Sequence, residues 1–181
     1  MGPITVDDIC NIHRRLLSAT GQVRYAGVLR NRQNWVGGIN PCRAEFVPPP
    51  TEQVRPLTED LCAYISGDDH LPLLQAALTP AQFVTIHLFA DGNGRTGRAL
   101  VHLLHRRRGT SPPYVPAISL ILATHAPIYV AGLTSNPDGG LAESAGAQTG
   151  MLRWLDVFAF DTLRACNDAR DLMRKMEEFQ C

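Results

Sequence analysis

The sequence predicts an all-α domain with one small β-hairpin. Three observations carry that expectation. Apolar residues recur at helical spacing along most of the chain. Strand-like patterning is confined to residues 34–47, where glycines and a proline separate short apolar stretches. The 181 residues, 45% hydrophobic and 19% charged, suffice for one domain with its own core.

Taken in order, Val6, Ile9, Ile12, Leu16 and Leu17 line one face of a helix over residues 5–18. Thr5 suits its N-cap, and Asp7 and Asp8 complement the dipole of its first turn. Asn34-Trp35-Val36-Gly37-Gly38-Ile39-Asn40-Pro41 and Ala44-Glu45-Phe46-Val47 form the hairpin, which Pro48-Pro49-Pro50 closes off. Thr51 is placed to cap a second helix through about Ile65, with Val54, Leu57, Leu61 and Ile65 inward and Pro56 near its first turn. Leu71 to Ile86 reads as a third helix, in which Pro80 marks a kink or a new start. A fourth runs from about Asn93 to Arg108, with Leu100, Val101, Leu103 and Leu104 buried, and Gly109 ends it. Pro116 to Leu133 reads as two short helices broken at Pro127, and 135–150 as a Gly/Ser/Ala-rich loop. A last helix spans Met151 to about Phe179, with Trp154, Leu155, Phe158, Leu163, Leu172 and Met176 as core candidates. Six to eight helices are expected in all. They form a single domain over 1–181, with its core at about 5–165 and a C-terminal helix to 181.

Composition narrows the function. The formal net charge is zero, so no global field draws the protein to nucleic acid or to an anionic membrane. Arg106-Arg107-Arg108, with His102 and His105, reads as a solvated cluster complementing a helix end rather than as a nucleic-acid site. Sixteen of the seventeen basic residues are arginine, which fits a GC-rich bacterial coding bias. Five scattered cysteines lack C-x-x-C spacing, which points to free thiols in a reducing compartment. No apolar run is long enough to span a bilayer, and the N-terminus lacks a leader pattern. The expectation is a cytoplasmic bacterial protein with no membrane partner, or a secreted effector if the chain is part of a longer one.

The chemistry concentrates in His87-Leu88-Phe89-Ala90-Asp91-Gly92-Asn93-Gly94-Arg95-Thr96-Gly97-Arg98. Gly92, Asn93 and Gly94 stand where a loop enters a helix, so backbone amides and the helix dipole can converge on an anion. Asn93 adds a side-chain amide donor. Arg95 and Arg98, three residues apart, share a helix face and can clamp more than one phosphate. A carboxylate beside a phosphate nest calls for a cation between them, which makes Asp91 the expected Mg²⁺ ligand. His87, four residues earlier, is a general base for a hydroxyl nucleophile. Phe89 is expected to point into the core and anchor the loop. The ordered set predicts a nucleotidyl transferase.

These twelve residues resemble the Fic motif, H-P-F-x-[D/E]-G-N-G-R-x-x-R, and match every defining position except Leu88. The resemblance extends to Asn34–Gly38, Phe46–Pro50, Ala76–Leu78 and Gln82-Phe83, and covers about residues 5–165. It implies a Fic fold, with helices around a central motif helix, and transfer of AMP from ATP to a Ser, Thr or Tyr hydroxyl of a target protein, releasing pyrophosphate. By the same resemblance His87 deprotonates the hydroxyl and Asp91 holds Mg²⁺ between the α- and β-phosphates. Gly92, Asn93 and Gly94 stabilise the α-phosphate, while Arg95 and Arg98 hold the β- and γ-phosphates. Val36, Gly37 and Gly38 belong to a flap that presents the target segment, and Tyr129 lines the adenine pocket. The family also includes members with other donors or directions (UMP transfer, phosphotransfer, AMP removal), and a non-catalytic nucleotide-binding module is the remaining alternative.

Two departures stand out. Leu88 replaces a proline that would stiffen the loop, and Leu88→Pro is expected to keep or raise activity. The inhibitory pattern [S/T]-x-x-x-E-[G/N] is absent, since no Ser or Thr has Glu four residues on. The glutamate that would pair with Arg98 would then come from outside this chain, for instance from an antitoxin partner.

Overall fold

The computed structural model describes residues 2–21, 23–110, 118 and 145–178. The chain divides into two compact units, 1–107 and 108–181.

The first unit holds four α-helices: α1 (Val6–Leu17), α2 (Thr51–Ser66), α3 (Pro72–Ile86) and α4 (Asn93–Arg107). Helix α1 starts at Thr5 with a capping box: Thr5 Oγ1 accepts from the Asp8 amide, and the Asp8 carboxylate accepts from the Thr5 amide. Its inward stripe is Val6, Ile9, His13 and Leu17, a histidine standing in an otherwise apolar row, whereas Leu16 is exposed.

Helix α2 begins one residue earlier than a Thr51 cap would set it. Pro50 occupies the cap position, Thr51 is helical, and Pro56 lies inside the helix. Val54, Leu61 and Ile65 are buried as expected. The turn into α3 is locked by Gln75, whose buried amide donates to the carbonyls of Tyr64 and Gly67.

Helix α3 runs unbroken through Pro80, where the sequence predicts a kink or a restart. It is buried along most of its length and packs against both α2 and α4. Gly97 of α4 faces this part of α3: a Cβ there would lie 3.4 Å from Phe83 Cδ1 and 3.8 Å from Pro80 Cβ, ordinary contact distances, so the two helices pack directly against each other at the proline. That packing offsets the lost intrahelical bond. In α4, Leu100, Val101 and Leu104 are buried, while Leu103 is only partly so.

The expected hairpin is reduced to one antiparallel bridge, Val36 with Phe46. Gly37 and Gly38 take positive φ (69° and 65°), and a 3-10 turn, Pro41–Arg43, capped by Asn40, fills the tip. A Cβ on Gly38 would lie 2.1 Å from the Arg43 carbonyl oxygen, so only glycine fits there. Prolines 48–50 then end any ladder.

The second unit contains α5 (Ala145–Glu178), which begins inside the segment the sequence assigns to a loop. Trp154, Phe158, Asp161 and Ala165 form its buried stripe. Leu163 falls on the opposite face. Leu172 and Met176 continue the stripe into a stretch where no described side chain is buried, so these three core candidates are exposed. The expected helices of 116–133 and the loop of 135–144 lie outside the described residues, Ile118 excepted.

Candidate functional site

The motif is the turn that joins α3 to α4. Helix α3 stops because His87 adopts a left-handed conformation (φ 54°, ψ 58°); among the described residues it alone has positive φ without being glycine. Such a conformation persists only where surrounding contacts hold it. The His87 amide still donates to the Phe83 carbonyl (3.1 Å), closing the last helical turn before the chain reverses. The ring's Nδ1 donates to the Val84 carbonyl (3.3 Å). That assigns the proton to Nδ1 and leaves the Nε2 lone pair to accept another. Burial pushes the imidazole pKa below its ordinary 6.5; the Val84 bond opposes the shift and the Arg30 cation reinforces it.

The loop that follows is built from the inside. Leu88 and Phe89 are fully buried. The Phe89 ring stacks flat on His13 (centroids 3.7 Å apart, planes 1° apart) and tilts against Phe83. Asn93 turns inward. Its Oδ1 accepts from the Phe89 amide (3.0 Å), and its Nδ2 donates to the Phe89 carbonyl (2.8 Å). The sequence reading makes that side chain a ligand donor; in the fold it braces the loop. His13 supports the next residues, with Nε2 donating to the Asp91 carbonyl (2.9 Å) and Nδ1 accepting from the Gly27 amide (2.8 Å). Gly92 then takes φ +80°, and a Cβ there would press on Leu17 and His13.

Helix α4 makes its first bond from the Thr96 amide to the Gly92 carbonyl. The amides of Asn93, Gly94 and Arg95 take no acceptor among the described residues. Gly94 is exposed, and a Cβ there would meet only Arg98 Nη1, at 3.5 Å. A ligand can therefore approach the backbone. His87, Ala90, Asp91, Gly92, Asn93, Gly94, Arg95 and Arg98 line one cleft of about 320 Å³. Arg95 Nη2 pairs with Asp91 Oδ2 at 3.1 Å, both side chains being about two-fifths exposed. Among the described residues no cluster of three or more metal-ligating side chains exists. One carboxylate beside the acceptor-free amides of a helix start fits a Mg²⁺ that would arrive with a nucleotide, since such an ion needs few protein ligands.

Every motif residue singled out from sequence thus meets at one place, with Phe89 beneath it. Val36, Gly37 and Gly38 do not line the cleft. The segment before them is tied to the motif by Asn34, whose Nδ2 donates to the Phe89 carbonyl (3.3 Å), and by a bridge from Leu29 to Phe89. Tyr129 lies outside the described residues. Sequence reasoning missed His13 and Arg30. His13 left a signal, a polar residue four positions from both Ile9 and Leu17 on the buried stripe. Arg30 left none, because its contacts are all with carbonyls that its position does not reveal.

The Fic/DOC family pattern matches residues 3–105, and the chain belongs to that family. It is 34% identical over 133 residues to "Protein adenylyltransferase fic-1" of Caenorhabditis elegans, covering 72% of this chain and 24% of that protein. It is 33% identical over 116 residues to "Protein adenylyltransferase Fic" of Drosophila melanogaster, covering 62% and 22%. The chain therefore spans about a quarter of the length of these curated relatives. Among solved structures, a Fic-domain signaling protein from Bacteroides thetaiotaomicron superposes with a TM-score of 0.67 at 24% identity, covering 90% of this chain and 60% of that one. The fold is the Fic fold. No helix among the described residues is long and apolar enough to cross a membrane.

Proposed function

We propose that this site transfers AMP from ATP to a hydroxyl of a protein side chain. One observation carries the reading. His87, held neutral with Nε2 available, lines the same cleft as the acceptor-free amides of α4 and the guanidinium groups of Arg95 and Arg98. The relatives named adenylyltransferases support the choice of donor.

In the reaction, the target hydroxyl oxygen attacks the α-phosphorus and its proton passes to His87 Nε2. The bond from the α-phosphorus to the oxygen bridging to the β-phosphorus breaks, and pyrophosphate leaves. The α4 amides receive the charge that develops on the α-phosphate oxygens. Arg95 and Arg98 hold the β- and γ-phosphates, and placing these groups in line is most of what phosphoryl-type transfer requires. Mg²⁺ bound at Asp91 would neutralise phosphate charge. Arg95 then exchanges its carboxylate for a phosphate, so the Arg95–Asp91 pair is the resting arrangement of two groups that separate when nucleotide binds.

The segment around Val36–Phe46 presents the target. With only one bridge formed, its remaining backbone groups can pair with an extended peptide. Arg98 is the group an inhibitory glutamate from outside this chain, on an antitoxin or another segment, would occupy.

Incubation with ATP labelled at the α-phosphate tests the proposal. Label on protein, lost in His87→Ala, is the expected result. Label transferred only from the γ-phosphate, or full transfer by His87→Ala, refutes it.

A further inference from the structure

We infer that Arg30 is the positioning residue for His87: its guanidinium clamps the carbonyl end of α3, fixes the left-handed turn there, and ties that turn to both ends of the flap. Arg30 is 7% exposed, yet among the described residues no carboxylate pairs with it. Its donors go to backbone oxygens instead. Nε donates to the His87 carbonyl (2.8 Å), and Nη2 to the carbonyls of Pro49 (2.5 Å) and Ile86 (3.4 Å). Nη1 reaches the Arg32 carbonyl (3.4 Å), and the Arg30 amide donates to the Leu88 carbonyl (2.9 Å). Three successive carbonyls, of residues 86, 87 and 88, thus accept from one residue.

The last carbonyls of a helix have no intrahelical partner. At the end of α3 the Ile86 carbonyl is buried and the His87 carbonyl half-buried, and both accept from Arg30. A planar guanidinium can bridge several such oxygens at once, which an ammonium cannot do in the same geometry. A buried cation without a counter-charge is costly, so its carbonyl cage has to be well formed. The caged residue is the one next to the strained backbone, and Leu88 lacks the ring constraint that a proline would bring to the same turn. Pro49 and Arg32 flank the Val36–Phe46 bridge, so the clamp also fixes where the flap leaves the motif. The cation lies close enough to disfavour imidazolium at His87. The inference rests on the reading of His87 as the base, and the experiment separates the two.

Arg30→Met and Arg30→Lys are compared with the wild type by residue-resolved amide exchange and by steady-state transfer. In Arg30→Met the His87 and Phe89 amides exchange at least about tenfold faster, while α1 and α4 amides keep their rates. Its kcat falls about 10²-fold, as expected for a misplaced group, with the KM for ATP unchanged. Arg30→Lys recovers only part of both effects. Wild-type exchange and kcat in Arg30→Met overturn the inference. So does exchange that accelerates uniformly through all four helices, which would make Arg30 a general support of the fold. If the wild type transfers nothing, the proposed function falls, and the exchange pattern alone still decides whether Arg30 clamps the turn.

Discussion

Gly92 and Gly94 stand two residues apart in one motif, yet alanine should act on them in opposite ways. At Gly92 the backbone has φ +80°, where an L side chain costs about 1–2 kcal/mol. The new Cβ would lie 2.8 Å from Leu17 Cδ1 and 2.9 Å from His13 Nε2. His13 cannot give way without loosening its bond to the Asp91 carbonyl, worth about 0.5–1.5 kcal/mol. Its stack on Phe89, worth about 0.5–1.5 kcal/mol, would loosen as well. Gly92→Ala should therefore lose about 2–5 kcal/mol in urea denaturation, and transfer with it. At Gly94 no positive φ is required, and only Arg98 Nη1 lies within 4 Å. Gly94→Ala should unfold like the wild type and still lose affinity for ATP, because its methyl group stands where a phosphate must approach. Gly92→Ala with wild-type stability, or Gly94→Ala with wild-type ATP binding, refutes the account of this nest.

Three further outcomes are expected. Burial holds His87 below its ordinary 6.5, so the neutral base predominates at and above that pH and is lost as pH falls through its lower folded value. The acid limb of kcat/KM should accordingly lie below pH 6.5, and a limb above 6.5 would contradict the placement of His87. Asp91→Asn breaks an ion pair that is about two-fifths exposed and worth no more than about 1 kcal/mol. The melting temperature should hardly move, while the Mg²⁺ dependence of transfer disappears with most of the activity; a Mg²⁺ titration checks this. Gly38→Ala drives a Cβ into the Arg43 carbonyl and should deform the flap tip. Protein labelling should fall while equilibrium dialysis shows ATP binding unchanged.

How far the sequence reveals the fold depends on what decided each element. Helices α1 to α4 were legible because their apolar rows carry the period, and at α1 the cap, Thr5 with Asp8, lies next to the row. Pro80 misled because a local rule met tertiary packing, α4 lying against it around Gly97. The hairpin was legible in place but not in extent, since two glycines at positive φ and the Pro41–Arg43 turn absorb residues that alternation alone would pair. The far part of α5 failed for a different reason. Leu172 and Met176 hold the correct phase, but phase says nothing of where along a helix the covering stops.

The site divides along the same line. Residues that face the cleft all come from one short stretch, His87 to Arg98, and their spacing on a turn and a helix start is itself the chemical signal. Residues that hold them there come from elsewhere: His13 from α1, Arg30 and Asn34 from the segment between the Leu29–Phe89 and Val36–Phe46 bridges. Each acts on a backbone atom of the motif, and backbone atoms carry no residue-specific signature. Asn93 shows how the two layers trade places. By spacing it is a ligand residue, but its side chain grips the Phe89 amide and carbonyl, while its own backbone amide, with those of Gly94 and Arg95, takes no acceptor among the described residues. If the cleft takes phosphate as proposed, the donors there are main chain, and their placement depends on the side chains beneath them. Substitutions at His13 or Arg30 should then lower turnover without touching a ligand, while substitutions at Arg95 or Arg98 should act first on nucleotide affinity.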